Sequence, residues 1–260
     1  MYLNIILTKF KESCAYRTEF IGGIASSVVS LVSFWFIWSA IYNSAGVATL
    51  QGLTLTTMIT YISISTVIRL YSYSYSEHMI HDEVKYGGIA VAITKPMNYI
   101  FFVLAREIGS TLYNFIVRGL PILLIAFLIL NITFTQVFIP FTVSMMLGFL
   151  VNFFLILLVG LWSFWAGTIW GLRYSKMIIA ELTSGAIIPL FLFPSWFQTI
   201  AGLLPFQSIY HIPISIYIGK IAGFEIVTSI LIQIFWVAAL GMLSLGVWKL
   251  AQRRIYVQGG

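Results

Sequence analysis

Charge is what this sequence has least of. Asp, Glu, Lys and Arg make up 8% of its 260 residues, against roughly 25% in a soluble domain. With 60% hydrophobic residues, too little polar side chain remains to cover a core of this size. That excludes a soluble globular domain and predicts an all-α polytopic membrane protein. Cysteine is nearly absent. Cys14, the only one, forms no intrachain disulfide, has no metal-binding spacing around it, and is expected to act as a small apolar filler. Aspartate occurs once, at Asp82. The net charge of +6 comes from basic residues placed singly between apolar runs. That distribution serves membrane topology and argues against nucleic-acid binding.

The apolar runs predict six spans of about 20 residues or more each. They lie near 20–42, 53–75, 108–130, 138–168, 177–193 and 226–250. The third has a helical start as early as Tyr99, and the fourth is over-long and therefore tilted or begun in the interface. "GLRYSK" reads as a short polar turn between the fourth and fifth. Residues 1–18 have their charges after the apolar stretch and no small-residue cleavage site, so no signal peptide is expected. Leu3, Ile6, Leu7, Phe10 and Cys14 fall at helical spacing, which predicts an amphipathic helix lying in the membrane interface.

Ten basic residues fall on one side if both termini do: Lys9, Lys11, Arg17, Lys85, Lys95, Arg173, Lys176, Lys249, Arg253 and Arg254. The opposite loops hold only Lys220. The positive-inside rule then makes both termini and the loop at 76–98 cytoplasmic. Between 189 and 220, an almost wholly apolar stretch carries Pro189, Pro194, Pro205 and Pro213, four of the seven prolines. A straight span through Pro205 and Pro213 conflicts with a cost of about 3 kcal/mol per interior proline. One extra crossing would also put the basic tail outside. A re-entrant hairpin of two short helices over 194–220, including Phe206, dips in from the outer face and preserves the parity.

The loop "SEHMIHDEVKYGGIAVAITKPMN" at 76–98 gathers three of the eight carboxylates and two of the three histidines. A short helix there presents Glu77, His78, His81, Asp82, Glu83 and Lys85. Met79, Ile80 and Val84 either anchor it or fill a cleft on a partner. Gly87 and Gly88 stop it, and Pro96 constrains the return to the membrane. His78 and His81 share a helix face, but with no third or fourth ligand at a recognisable spacing a metal site is not expected. Arg118 and Glu107 lie in or near the third span, where an ionisable group costs at least about 2.5–3.5 kcal/mol and so faces protein or water. Arg118 either lines a pathway, pairs with a carboxylate or snorkels. Arg69 and Arg106 mark the inner membrane edge. Trp35, Trp38, Trp196 and Trp248 suit interfacial belts, and "LWSFWAGTIW" reads as a further aromatic belt or an apolar binding wall. "NIT" at Asn131 matches a glycosylation acceptor by a common chance pattern.

In their order and spacing, these features resemble the type-2 ABC exporter permeases. The shared elements are an N-terminal interfacial helix, six spans, a charged cytoplasmic loop after the second and a re-entrant hairpin before the sixth. "GGIAVAITKPMNY" is similar to the segment where that loop re-enters the membrane, and "FPSWFQTIAGLLPFQSIYHIPISIYIGK" to the proline-punctuated region. The nearest branch is the one for multidrug or antibiotic-like export. The resemblance implies a permease dimer, of identical or related chains, over two ATPase subunits, with 76–98 as the coupling helix and an amphipathic or lipid-like substrate. No G-x-x-x-x-G-K-[ST] loop occurs in the chain. No cofactor is therefore expected on it, and ATP and Mg²⁺ belong to the partner. The competing readings are a secondary transporter, which should show an inverted repeat or broken-helix pair, and a membrane-embedded lipid-modifying enzyme, which should show a nucleophile–base set. Neither signature is visible.

Overall fold

In the computed structural model the described residues form helices joined by short turns, with one tiny β-hairpin among them. The structure describes residues 1–15, 17–72, 74–130, 132 and 137–255, with backbone alone for 17–21 and 71. Asn131, the Arg17 side chain and the tail beyond Ile255 lie outside the described residues. Helix α1 (Tyr2–Cys14) precedes α2 (Arg17–Ala45), strands β1 (Thr49–Leu50) and β2 (Leu53–Thr54), and α3 (Leu55–Ser72). Then come α4 (Ser76–Lys85), α5 (Gly88–Thr94), α6 (Tyr99–Tyr113), a π-turn (Asn114–Gly119), α7 (Leu120–Leu130) and α8 (Phe138–Leu161). The chain closes with α9 (Trp170–Thr183), α10 (Ser195–Gly202), α11 (His211–Tyr217) and α12 (Phe224–Gln252).

Among the described residues, four helical stretches are long and apolar enough to cross a membrane: Gly22–Ala45, Tyr99–Leu130, Phe138–Phe164 and Phe224–Gln252. Helix α3 is apolar but shorter. The run expected as a fifth span is not one helix. "GLRYSK" is not a turn but the start of α9, which ends at Thr183. Its 14 residues reach about 21 Å, short of a hydrocarbon core of about 30 Å. Gly185 at φ +79° breaks the helical path two residues later, and an L side chain there would be strained. The third stretch is continuous but passes through the π-turn. Pro121 offers no amide to the Val117 carbonyl, and the ladder widens just before it.

The two loops at the far end from α4 close on each other. Gln51 (φ +50°) and Gly52 (φ +78°) form the two-residue turn of the β-hairpin, the doubly left-handed geometry that matches strand twist. Lys220 donates to the Gln51 carbonyl at 2.9 Å. At the α4 end, Tyr2 Oη accepts from the Asn98 amide at 3.2 Å, Trp248 stacks on Tyr99 at 4.8 Å, and Arg254 lies over Trp165.

The proline-rich stretch is broken into short helices. Pro205 opens a 3₁₀ turn. Pro213 is the third residue of α11, where a missing amide leaves no bond unmade. Residues 212–217 are all buried against α8 and α3. The side chain of Gln233, from α12, donates to the carbonyls of Ser144 (3.0 Å) and Ser208 (2.8 Å). A Cβ on Gly148 would lie 2.6 Å from the Ser208 oxygen, so α8 meets this segment backbone to backbone.

The aromatic expectations divide. Trp38 and Trp248 are buried core residues and not interfacial belts, because α3 and Tyr99 cover them; Trp35 and Trp196 are exposed. Trp162, Trp165 and Trp170 are exposed too, as the belt alternative for that stretch requires. Cys14 is exposed and is no core filler. Of the expected apolar face of α1, Ile6 and Phe10 turn toward α6 while Leu3 and Leu7 stay exposed. The backbone of α1 crosses α6 at Gly109, where a Cβ would sit 2.5 Å from the Ile6 oxygen. Gly109→Val therefore displaces α1, at about 1–3 kcal/mol for the overpacking. Tryptic cleavage at Lys9 and Lys11 should accelerate in that variant and stay unchanged in Gly246→Val, whose added carbons enter open space.

Candidate functional site

Helix α4 is held from every side but one. Its first turn carries Glu77 and its last Lys85, each at the end of the helix dipole that favours its sign. The Ser74 hydroxyl accepts from the Ser76 amide at 3.0 Å. Glu107, buried in α6, accepts from Ser74 Oγ at 2.6 Å and from Ser76 Oγ. One buried carboxylate thus secures the α4 N-terminus.

The central contact is Glu77. Its two oxygens accept from Arg173 Nε at 2.5 Å and Lys176 Nζ at 2.6 Å. Arg173 and Lys176 sit at i,i+3 on α9 and therefore share one face. The Glu77 side chain is 4% exposed and its partners are 19% and 18% exposed. Removing one partner of a buried pair costs about 3–5 kcal/mol, and water reaching the two cations trims that figure here. From the sequence, Lys176 has only a topological role and Arg173 at most a secondary contact with a partner. The signal that would have found them is their i,i+3 spacing.

The remaining predicted side chains divide by exposure. His78 stacks on Tyr75 (4.7 Å) and meets the Trp170 edge (5.6 Å). His81 Nδ1 lies 3.0 Å from Ser163 Oγ. Ile80 is wholly buried against Gly160, where a Cβ would come within 2.7 Å of it. Met79 is half-buried. Glu83 accepts from Tyr99 Oη at 2.5 Å. Of the residues expected to face a partner, Glu77, His78, Ile80 and His81 are instead spent inside the chain. Asp82, Lys85, Tyr86, Gly87 and Gly88 form the open side, joined by Val91 and Ile93 of α5. Gly87 at φ +79° ends α4 and starts α5, and Lys95 is extended ahead of Pro96.

Glu107 is bonded to Ser74 and Ser76. Arg118 lies over the Tyr113 ring at 5.7 Å and lines a cavity with Arg69, whose Nη1 is 3.0 Å from Glu181. Pro194 is exposed, Phe206 half-buried, and Pro205 and Pro213 buried. Among the described residues no three His, Cys, Asp or Glu side chains converge as a metal site would require.

Burial, then the Arg173 charge, holds the His78 imidazole below its usual pKa. The unfolded histidine, near 6.5, takes up the proton first. Stability is therefore full above about pH 6.5 and falls on acidification toward the lowered folded value. The melting temperature of the purified chain should drop between about pH 7.5 and 5.5, and His78→Phe, which retains the ring stack, should flatten that slope.

No curated protein matches the chain. A family model described as "ABC-2 family transporter protein" matches residues 28–259. That range takes in all four long apolar stretches but for the start of the first, together with the clamped α4 and the proline-broken segment. By that match the chain belongs to the ABC-2 transporter family, as a type-2 ABC permease, a membrane component of transport.

Proposed function

We propose that the chain is the permease subunit of an ATP-driven exporter in the plasma membrane, and that α4 with α5 is the seat of a separate ATPase. One observation carries the reading. Helix α4 is bolted to α6, α8 and α9, while Asp82, Lys85, Tyr86, Val91 and Ile93 stay uncovered. A rigid element with one free mixed face is what a push from a soluble subunit requires. ATP and Mg²⁺ act on that subunit, since no phosphate loop occurs here. In this reading a second permease, identical or related, completes the pathway over two ATPase chains. Helices α3 and α9 with its following segment supply the two further crossings, α1 lies in the inner interface, and 194–220 re-enters from outside.

The grouping of ends supports the orientation. Lys9, Lys85, Lys95, Arg173, Lys176 and Arg254 belong to the α4 end, and Lys220 to the other. In a Cys14→Ser background, Gly46→Cys and Gly219→Cys should react with an impermeant thiol reagent in intact cells, and Ser175→Cys should not. Labelling of Ser175→Cys would overturn the orientation.

The geometry also ranks substitutions. Glu77→Gln removes the charge that two cations share, so substrate-stimulated ATPase activity in proteoliposomes should fall on the order of 10-fold, the consequence of losing about 1.4 kcal/mol, while ATPase co-purification persists. Tyr86→Asp, on the open face, should abolish co-purification without lowering the melting temperature. Ile80→Asp should lower the melting temperature, because it buries a charge against Gly160. Gly87→Pro, incompatible with φ +79°, should disrupt both α4 and α5. If Tyr86→Asp leaves the ATPase bound, the coupling assignment is wrong.

A further inference from the structure

Helix α1 follows the first part of α6. Tyr2 meets the Phe101 ring edge-on at 6.2 Å and Phe10 meets Tyr113 at the same separation, with the Ile6 carbonyl against Gly109 between them. The two flanks of this pair differ in chemistry. On one, Lys9 bonds Glu12 at 3.0 Å, Arg106 lies 3.9 Å from the same carboxylate, and Lys95 and Arg106 both lie over the Phe102 ring. On the other, Tyr2 and Ile6 of α1 and Phe101, Leu104, Ala105 and Ile108 of α6 line a cleft of about 360 Å³. Phe102 and Arg106 make one stripe at helical spacing and the four cleft residues of α6 another, on different faces of the helix. The one polar side-chain atom lining the cleft, Tyr2 Oη, is taken by the Asn98 amide.

The apolar flank continues past the cleft, since Leu3, Leu7 and Phe101 are exposed. Its depth matches the membrane boundary. The apolar stretch Tyr99–Leu130 has 32 residues, about 48 Å of helix against about 30 Å of hydrocarbon. The surplus falls at its charged beginning, where Arg106 and Glu107 sit. Helix α1 and the cleft therefore lie level with the headgroups and the first part of the acyl chains on the α4 side, the apolar flank toward lipid and the charged flank toward water. Around α1, Lys9, Lys11, Lys95 and Arg106 stand against Glu12, while Glu83 is bonded to Tyr99 and Glu107 to Ser74 and Ser76. Such a local excess of cations at a membrane surface attracts anionic headgroups.

We infer that the cleft between α1 and α6 holds one acyl chain of an anionic phospholipid from the leaflet on the α4 side. The cleft recognises the acyl chain, and the basic residues around α1 select the lipid that supplies it. The inference rests on the protein being embedded in a membrane and not on the exporter reading.

The test uses the full protein in phosphatidylcholine nanodiscs carrying a trace of lipid with a photoactivatable diazirine on its acyl chain, either phosphatidylglycerol or phosphatidylcholine. After illumination the labelled peptides are mapped by mass spectrometry. The phosphatidylglycerol probe should label residues 1–9 and 99–108 more densely than the exposed apolar face of α12, and about 5-fold more than the phosphatidylcholine probe does. Leu104→Trp and Ile108→Trp, which fill the cleft, should each cut that labelling on the order of 10-fold and leave α12 unchanged. Lys11→Gln combined with Lys95→Gln should bring the two probes together without moving the labelled site. Cleft peptides labelled no more densely than α12, equal labelling by both probes in the unaltered protein, or undiminished labelling in both tryptophan variants overturns the inference. The map of the unaltered protein decides the matter even where both variants misfold.

Discussion

A single carboxylate organises the end of this protein where helices stop and charge begins. Glu77 is almost fully enclosed, and a carboxylate so placed must be paired or neutralised. Arg173 and Lys176 meet both its oxygens, and in doing so tie a short amphipathic helix to one that follows it by nearly a hundred residues. Glu107 completes the arrangement from α6 through Ser74 and Ser76. Without these contacts the first turn of α4 would be anchored chiefly by Ile80 in its groove at Gly160.

The same demand for satisfied polar groups explains the proline-broken segment. Irregular backbone is tolerable at membrane depth only when protein covers it or water reaches it. Here Tyr61 donates to the Gly185 carbonyl at 2.6 Å and Ser65 to that of Ala186 at 2.5 Å. The His211 amide bonds the Ser184 carbonyl, and Gln233 serves two more carbonyls from α12. Each of these donors comes from outside the segment or from its far side, so the non-helical chain is held as firmly as a helix would be.

What was legible in the sequence follows from which forces are local. Apolar run length located the four long helical stretches to within several residues. Gly87 announced the end of α4 because a left-handed residue is a backbone matter, and Pro205 and Pro213 announced the broken helices for the same reason. The misreadings arise where packing decides. Ile80 could be an anchor or a docking residue, and nothing in the sequence says that Gly160 leaves the groove that makes it an anchor. Trp38 and Trp248 looked interfacial until α3 and Tyr99 covered them. "GLRYSK" looked like a turn because its charges suggested solvent, when their spacing matched a helix face that meets Glu77. Arg118 stood out at once as a buried charge, but its setting beside Gly23 and Arg69 depends on a π-turn that no periodicity count would reveal.

These contacts form one continuous mechanical path. Through Glu77, α4 is tied to Arg173 and Lys176 of α9. Helix α9 ends at Thr183 and hands the chain to 184–187, which is fastened to α3 through Tyr61 and Ser65. Ile187 and Arg69, at the end of that path, are walls of the cavity, and Arg69 is itself bonded to Glu181 of α9. The α4 end is thus linked, contact by contact, to the end of α3. Because the Arg69–Glu181 bridge is about two-fifths exposed on both sides, it contributes little to stability and is free to break and re-form, whereas the enclosed Glu77 clamp is not. The enclosed joint lies at the first turn of α4, and the exposed one at the end of α3.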